Sequence, residues 1–534
     1  MLRKLLLLLC LLVPTAANAE WFEARSPNFI VYSQGSAEDA REFAIKLERF
    51  DFVLRTAHKV NAPPASNPLR VFLMQSVEGV REMAGAPGSS IAGYYMSSAR
   101  ALMLVGTRNR LSGMSADIRT ASQEVELDPE TILLHEYAHH FMYQYFPAAY
   151  PTWYSEGFAE FWGTTRLLPN DVVDVGLPAD HRFSTFRDLG WLPLQRMMKA
   201  HNYRELAATD VFLLYAEGWL VLRYVFEHPQ RRRQLDQYLA LVNRGTSYED
   251  AARQAFPDLD KFNSELYEYA GTGRFSYIRL PFKTRGLGTI AVRKLRPAEQ
   301  ALMTREIRLS MGIAQRDAAE FARDVRGSAS RFPDDPFALR LLMESEWLAG
   351  NKDAALAAAD RLLKIEPNHG RATVTKARVQ IAALRAAGSS DAEAWSAARK
   401  LLARSIDLAP NDPTVLESYY DSFADQGVMP TEEAQNALYT AMELAPSDGE
   451  LRYKLARDFE LRNMIPEAIA IIRPEAFSSP HIRKESERER KERERREERY
   501  REAGKARHET AREMLARLEA KLAESRKAPA IAGK

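Results

Sequence analysis

Four prolines constrain the second half of this chain more than any other feature. Pro333, Pro367, Pro410 and Pro446 each follow an amphipathic stretch of helical period, in the contexts Arg-Phe-Pro-Asp, Ile-Glu-Pro-Asn, Leu-Ala-Pro-Asn and Leu-Ala-Pro-Ser. Proline lacks an amide N–H and clashes with the turn before it, so each of the four closes a helix. Their intervals are 34, 43 and 36 residues, room for two helices and the turns between them. Helix pairs of this kind cannot bury their apolar faces alone, so they stack. Residues 326–480 therefore read as an all-α solenoid, with an insertion near Ala387–Ala394 taking up the long middle interval. A generic helical domain is the alternative.

Paired helices closed by proline, at a period of 34, resemble the tetratricopeptide repeat. That resemblance implies a protein partner bound through the repeats. Upstream, residues 276–325 read as a connector carrying a divergent helix pair at Pro297–Val325. Downstream, residues 481–534 read as a charged helical tail. Arg483–Arg512 alternates Arg/Lys with Glu, and pairs such as Glu489/Arg493 and Glu497/Arg501 lie one helical turn apart. Leu515, Leu518 and Leu522 form a narrow apolar stripe at its end. The stripe has two readings, an edge that docks on a partner or a plain solvated helix.

The whole chain has 534 residues, a length that predicts three or four domains. Its 74 basic and 72 acidic residues nearly cancel, which argues against a nucleic-acid partner. Cys10 is the one cysteine, so a disulfide scaffold and a cysteine-ligated metal site are both excluded. Cys10 lies in a segment that reads as a signal peptide over 1–19. Arg3 and Lys4 precede the short apolar run Leu5–Val13, and Ala17-Asn18-Ala19 is a small-residue cleavage site. Cleavage after Ala19 and a periplasmic or secreted location are expected, with an uncleaved anchor as the alternative. No later segment reaches 18 uninterrupted apolar residues. Val211–Phe226 contains Glu217 and Arg223 and reads as a buried soluble helix, so no transmembrane segment is expected after cleavage.

Residues 20–275 read as one unit. Strand and helix signals alternate up to about residue 125. The strands are Asn28–Ser33, Leu69–Met74 and two short ones at Ile91–Tyr95 and Ala101–Val105. Ser36, with Asp39 three residues on, caps a helix that runs to about His58. From Pro129 to about Gly271 the pattern is mostly helical. A small α+β layer thus precedes a helical layer.

The chemistry concentrates in Leu133-Leu-His-Glu-Tyr-Ala-His-His140. Asp128 followed by Pro129 is a helix start, and the helix should end before Pro147. On it His135 and His139 are one turn apart and share a face, so both imidazoles can reach one ion. Glu136 lies about 100° round the helix, beside the ligands and placed to take a proton from a bound water. With ten histidines in the chain, a chance match to this pattern is on the order of one in a hundred. A catalytic zinc needs a third protein ligand. Metzincin spacing is excluded, because Met142 and Tyr145 stand where that class has Gly and His. Instead, Trp153-Tyr-Ser-Glu-Gly-Phe-Ala-Glu160 follows on a second helix, with Glu156 and Glu160 on one face of it.

These two strings together resemble the gluzincin metallopeptidases, the clan of thermolysin and the aminopeptidase N-like enzymes. The closer resemblance is to bacterial secreted proteins that join a peptidase-MA-like domain to tetratricopeptide repeats. The resemblance implies an α+β zincin-like catalytic domain, followed by the all-α solenoid and the charged helix. It makes Glu156 the third zinc ligand and Glu160 a partner that hydrogen-bonds a zinc-bound histidine, here His135. It also implies a tyrosine or histidine that stabilises the oxyanion. Tyr215, in Leu214-Tyr-Ala-Glu-Gly-Trp219, is the candidate and Tyr224 its rival, each with an ordinary buried tyrosine as the alternative. Ala101–Val105 is either the edge strand that pairs with substrate in this clan or an ordinary sheet strand. The Gly-x-Met-x-Asn exopeptidase signature is absent, so exo- and endopeptidase readings stay open. His140 points away from the ion and reads as structural. His58, His181, His201 and His228 read as isolated surface or packing residues.

Two functions follow. The first is a zinc-dependent metallopeptidase with one Zn2+ per chain, hydrolysing peptide or protein substrates with Glu136 as base, its repeats binding proteins. The second is a catalytically inactive zinc-domain and tetratricopeptide scaffold.

Overall fold

The computed structural model describes residues 20–87, 89, 91–108, 128–200, 206–282, 289–477 and 509–527. The signal-like segment 1–19, most of the charged alternation and His201 lie outside the described residues.

The amino-terminal half is built on a mixed sheet of six strands. In chain order these are β1 (Trp21–Arg25), β2 (Phe29–Gln34), β3 (Leu69–Met74), β4 (Gly93–Ser97), β5 (Leu102–Thr107) and β9 (Ala291–Lys294). Their order across the sheet is β4-β5-β3-β2-β1-β9. β2, β3 and β5 run parallel, while β4, β1 and β9 are antiparallel to their neighbours. The long crossover α1 (Ala37–His58) joins β2 to β3, and its Ser36/Asp39 capping box forms as the sequence predicts. The short helix α2 (Val77–Met83) follows β3.

The strand period of two sorts the side chains. Leu69, Val71 and Leu73 of β3 and Leu102 and Leu104 of β5 enter a core shared with Phe43, Leu47 and Phe50 of α1. Phe72, Met74, Met103 and Val105 face the other way, into a second core with Met303 and Ile307. Those two residues belong to α11 (Pro297–Met311). The sheet is therefore covered on both faces. Ala101–Val105 is not an edge, since β5 lies between β4 and β3 and is buried along its length. The edge strands are β4 and β9.

Below the sheet lie α3 (Pro129–Tyr145) and α4 (Thr152–Gly163). Asp128 caps α3 through Glu130 N–H and Pro129 occupies its first turn. α3 approaches the sheet closely where glycines leave room. A methyl group on Gly106 would stand 2.4 Å from Leu133, and one on Gly93 2.7 Å from Ile132. A three-stranded sheet follows, from β6 (Arg166–Leu168), β7 (Val172–Val175) and β8 (Ile278–Pro281). The helical layer consists of α5 (Asp180–Leu189), α6 (Leu194–Lys199), α7 (Ala208–Glu227), α8 (Pro229–Asn243), α9 (Tyr248–Ala255) and α10 (Leu259–Thr272). α7 contains the apolar stretch expected as a buried soluble helix. Among the described residues no helix is long and apolar enough to cross a membrane.

Residues 276–325 are more than a connector. They contribute β8 and β9, strands of both sheets, and α11, which seals the outer face of the larger sheet. Arg293 of β9 bridges Glu23 of β1 and Glu299 of α11 at 2.7 and 2.8 Å. The expected divergent helix pair is present as α11 and α12 (Ala318–Ala329).

The solenoid stacks α13 (Pro336–Leu348) on α14 (Lys352–Ile365), α15 (Gly370–Ala386) on α16 (Ala392–Leu408), α17 (Pro413–Gln426) on α18 (Glu432–Leu444), and α19 (Gly449–Leu461) on α20 (Ile465–Phe477). The 43-residue interval carries no long insertion, its turn between α15 and α16 being as short as that between α17 and α18. Its extra residues lengthen α15 and α16, each 17 residues against 13 or 14 in the other pairs. The apolar stripe of the tail neither frays nor faces outward. Met514, Leu515 and Leu518 of α21 (Ala511–Lys527) are buried against Ile465, Ile469 and Ile472, closing the end of the stack.

Candidate metal centre

Two helices place the donors. His135 and His139 project from one face of α3, and Glu156 projects from α4, which crosses it. Their donor atoms form a small triangle. His135 Nε2 and His139 Nε2 are 3.1 Å apart, and Glu156 Oε2 is 3.5 and 3.6 Å from them. An ion held at about 2.0–2.1 Å in tetrahedral geometry needs donors about 3.3 Å apart. The spacing of the triangle therefore fits a zinc ion. No other group of three or more His, Cys, Asp or Glu among the described residues meets the same spacing.

The donors are buried, His139 and Glu156 almost completely. Burial lowers the proton affinity of both imidazoles. At His139 burial prevails and keeps the ring neutral, as a ligand must be. At His135 the hydrogen bond to Glu156 and the charge of Glu160 outweigh burial and raise it.

Glu160, one turn beyond Glu156, lies behind the triangle. Its Oε1 is 3.3 Å from His135 Nδ1, the ring nitrogen that faces away from the other donors. Such a contact fixes the tautomer that leaves Nε2 free to ligate. Two residues of α5 share Glu160: His181 Nε2 lies 3.0 Å from Oε2, and Arg182 donates to Oε1 at 2.5 Å. Burial pushes the Glu160 carboxyl up, but Arg182, His135 and His181 outweigh it and hold it well below the usual carboxylate range. His181 is thus not an isolated histidine. Neither His181 nor Arg182 lies in a recognisable motif, and only the fold brings them here.

Glu136 stands beside the triangle and outside it. Its Oε2 accepts the backbone N–H of Tyr95, on edge strand β4, at 3.0 Å. Tyr215 of α7 is half-buried. Its ring stacks on His135 at 6.4 Å between centroids, and the Arg182 guanidinium lies 4.7 Å from its ring centre. Tyr224 is elsewhere on α7, stacked on His228 and donating to Glu265 at 3.3 Å, so the geometry favours Tyr215 of the two. Tyr143, which no sequence signal marks, stacks against His139 at 6.3 Å. His140 is buried, with Nδ1 3.2 Å from the Tyr95 hydroxyl, the structural role expected of it. His58 is half-buried among Phe141, Phe146, Phe158 and Trp162.

No family model matches the chain, and no curated protein matches it. Solved structures do. A thermophilic TPR protein of Thermus thermophilus is 18% identical, covering 34% of this chain and 92% of that one, with a TM-score of 0.29. Residues 41 to the end of MamA from Desulfovibrio magneticus are 18% identical, covering 33% and 94%, with a TM-score of 0.25. Yeast Tom70 is 13% identical, covering 77% of each chain, with a TM-score of 0.28. Likenesses this distant identify no function.

Proposed function

We propose that the chain is an exported zinc-dependent metallopeptidase whose helical repeats contact other proteins. The observation that carries this reading is the position of Glu136. It shares a helix with two of the zinc donors yet stands outside their triangle, with its carboxylate oriented by the Tyr95 N–H. A purely structural zinc site closes with four protein ligands and has no use for such a carboxylate.

His135, His139 and Glu156 would hold the ion. Zinc bound there would supply Lewis-acid polarisation of a carbonyl and a water of lowered pKa. The chain's own groups do the rest. Glu136 accepts the attacking water's proton and delivers it to the leaving amine. Tyr215 stabilises the oxyanion, and Glu160 keeps His135 in its ligating tautomer.

Glu136→Gln tests the reading. The substitution preserves size and removes the base. Zinc content and melting temperature should stay at wild-type values, while turnover of a peptide library falls by at least about a hundredfold. Loss of zinc would mean that Glu136 is a ligand. The stacked helix pairs favour a second reading, an inactive scaffold that acts by protein binding alone. That reading requires wild-type protein that cleaves no peptide, with or without added zinc.

A further inference from the structure

The tip of the β4–β5 hairpin is held by the helix stack. Ser98 and Ala101 exchange backbone hydrogen bonds of 2.8 and 3.1 Å, which leaves Ala99 and Arg100 as a two-residue turn. Neither has positive φ. That rules out the type I′ and II′ turns whose twist matches a tight hairpin. Support comes from outside. The Ala99 N–H donates to Asp448 Oδ2 at 2.6 Å, and the Ala99 carbonyl accepts from Thr414 Oγ1 at 2.9 Å. Asp448 is the N-cap of α19 and Thr414 lies in the first turn of α17. The Ala99 methyl is buried in the apolar cluster of Leu416, Tyr420, Leu438 and Leu451. Asn67, before β3, adds a bond to the Leu444 carbonyl at 3.2 Å. Tyr95, which orients Glu136, lies on β4 four residues before Ala99 in the chain.

We propose that the repeats are part of the catalytic machinery as well as a contact surface: Thr414 and Asp448 are positioning residues that fix strand β4, and through Tyr95 the carboxylate of Glu136. The proposal rests on the hydrolytic reading above. A strand at the edge of a sheet has one neighbour only, and here its hairpin end is anchored by two helix N-termini of the solenoid. General-base catalysis is sensitive to displacements of the base well under an ångström, so the anchoring bears on turnover more than on folding.

The test uses the full-length, zinc-loaded protein and the double variant Asp448→Asn/Thr414→Val. Asparagine still caps α19 through the oxygen that accepts from Glu450 and Leu451. Its amide replaces the acceptor that faces the Ala99 N–H. Valine keeps the shape of threonine without the donor. Zinc content should be unchanged. kcat should fall about tenfold or more with KM altered far less, and the Tyr95 amide should exchange faster with solvent. Thr414→Ser, which keeps the hydroxyl, should behave as wild type. If the double variant does not fold, Thr414→Val alone is the test, with a smaller fall in kcat and the same faster exchange. Wild-type kcat and wild-type Tyr95 exchange in the variant, beside an active parent, would overturn this proposal and leave the peptidase reading intact. A zinc-loaded parent that cleaves nothing would overturn both, so the assay of the parent tells the two failures apart.

Discussion

Gly157→Ala should destabilise the protein and loosen its metal centre, although alanine is the better helix former. Gly157 of α4 faces Gly218 of α7 with backbone against backbone. A methyl on Gly157 would stand 2.4 Å from the Gly218 carbonyl oxygen and 2.5 Å from its carbon, and one on Gly218 2.4 Å from the Trp153 oxygen. Comfortable carbon contacts begin at about 3.5 Å, so the helices must part by about 1 Å. No rotamer change can relieve a clash with main chain. Overpacking of this kind costs about 1–3 kcal/mol, and improved helix propensity returns up to about 1 kcal/mol. With main chain on both sides the overpacking cost lies in the upper part of that range, about 2–3 kcal/mol, so the net loss is roughly 1–2 kcal/mol and lowers the melting temperature by a few degrees. Glu156 precedes Gly157 on the same helix, so the shift also widens the donor triangle, and zinc should pass to a chelator more readily. Gly327→Ala in α12 is the control, because a methyl there meets nothing within 4 Å. It should be neutral or stabilising by up to about 1 kcal/mol. A Gly157→Ala protein that melts at or above wild type, with the control behaving as stated, would refute the close crossing of α4 and α7.

Other expectations follow from the same geometry. Purified protein should carry about one zinc per chain, and His135→Ala, His139→Ala or Glu156→Ala should abolish it, as metal analysis would report; Glu160→Ala should weaken affinity or turnover roughly ten- to a hundredfold. Leu518→Ala should cost about 2–5 kcal/mol in the stack that α21 closes, seen as faster proteolysis of α20 and α21, and wild-type resistance would mean the helix is not docked. His58, held down at about 4 by burial, binds its proton in the unfolded chain at about 6.5. The unfolded state therefore carries the extra proton between those values, and stability should fall as pH drops from about 6.5 to about 4, by up to about 1.4 kcal/mol per pH unit. His58→Phe should flatten that slope, and equal slopes in urea titrations of the two proteins would count against it.

What can be read from sequence is what depends on neighbours in sequence. The Ser36/Asp39 box, the Asp128-Pro129 start and the four closing prolines act within a turn or two, and each marks a helix end that the fold displays. The spacing of His135 and His139 is likewise a property of one helix. β8 and β9 are four residues each and draw their stability from partners more than a hundred residues away, β7 and β1. Nothing in Ile278–Pro281 or Ala291–Lys294 announces those partners, which is why the stretch reads as a connector. β4 and β5 are both legible as strands, but which of them is the edge depends on where β3 goes. The stripe on α21 is legible too, whereas its target, α20, is not. His181 and Arg182 reach Glu160 only because α5 packs on α7, which lies against α4.

The charges around the triangle give a reason for that last arrangement. Glu136, Glu156 and Glu160 are all nearly buried within two crossing helices, and three carboxylates in so dry a place repel one another unless matched. Arg182 supplies one positive charge, spent on Glu160. That leaves a formal charge of about minus two facing His135 and His139, which is the charge a divalent cation neutralises. A monovalent ion would leave the site under-compensated. By this reasoning Arg182 balances Glu160, and a divalent cation would balance Glu156 and Glu136 together, Glu156 from within the triangle and Glu136 from beside it.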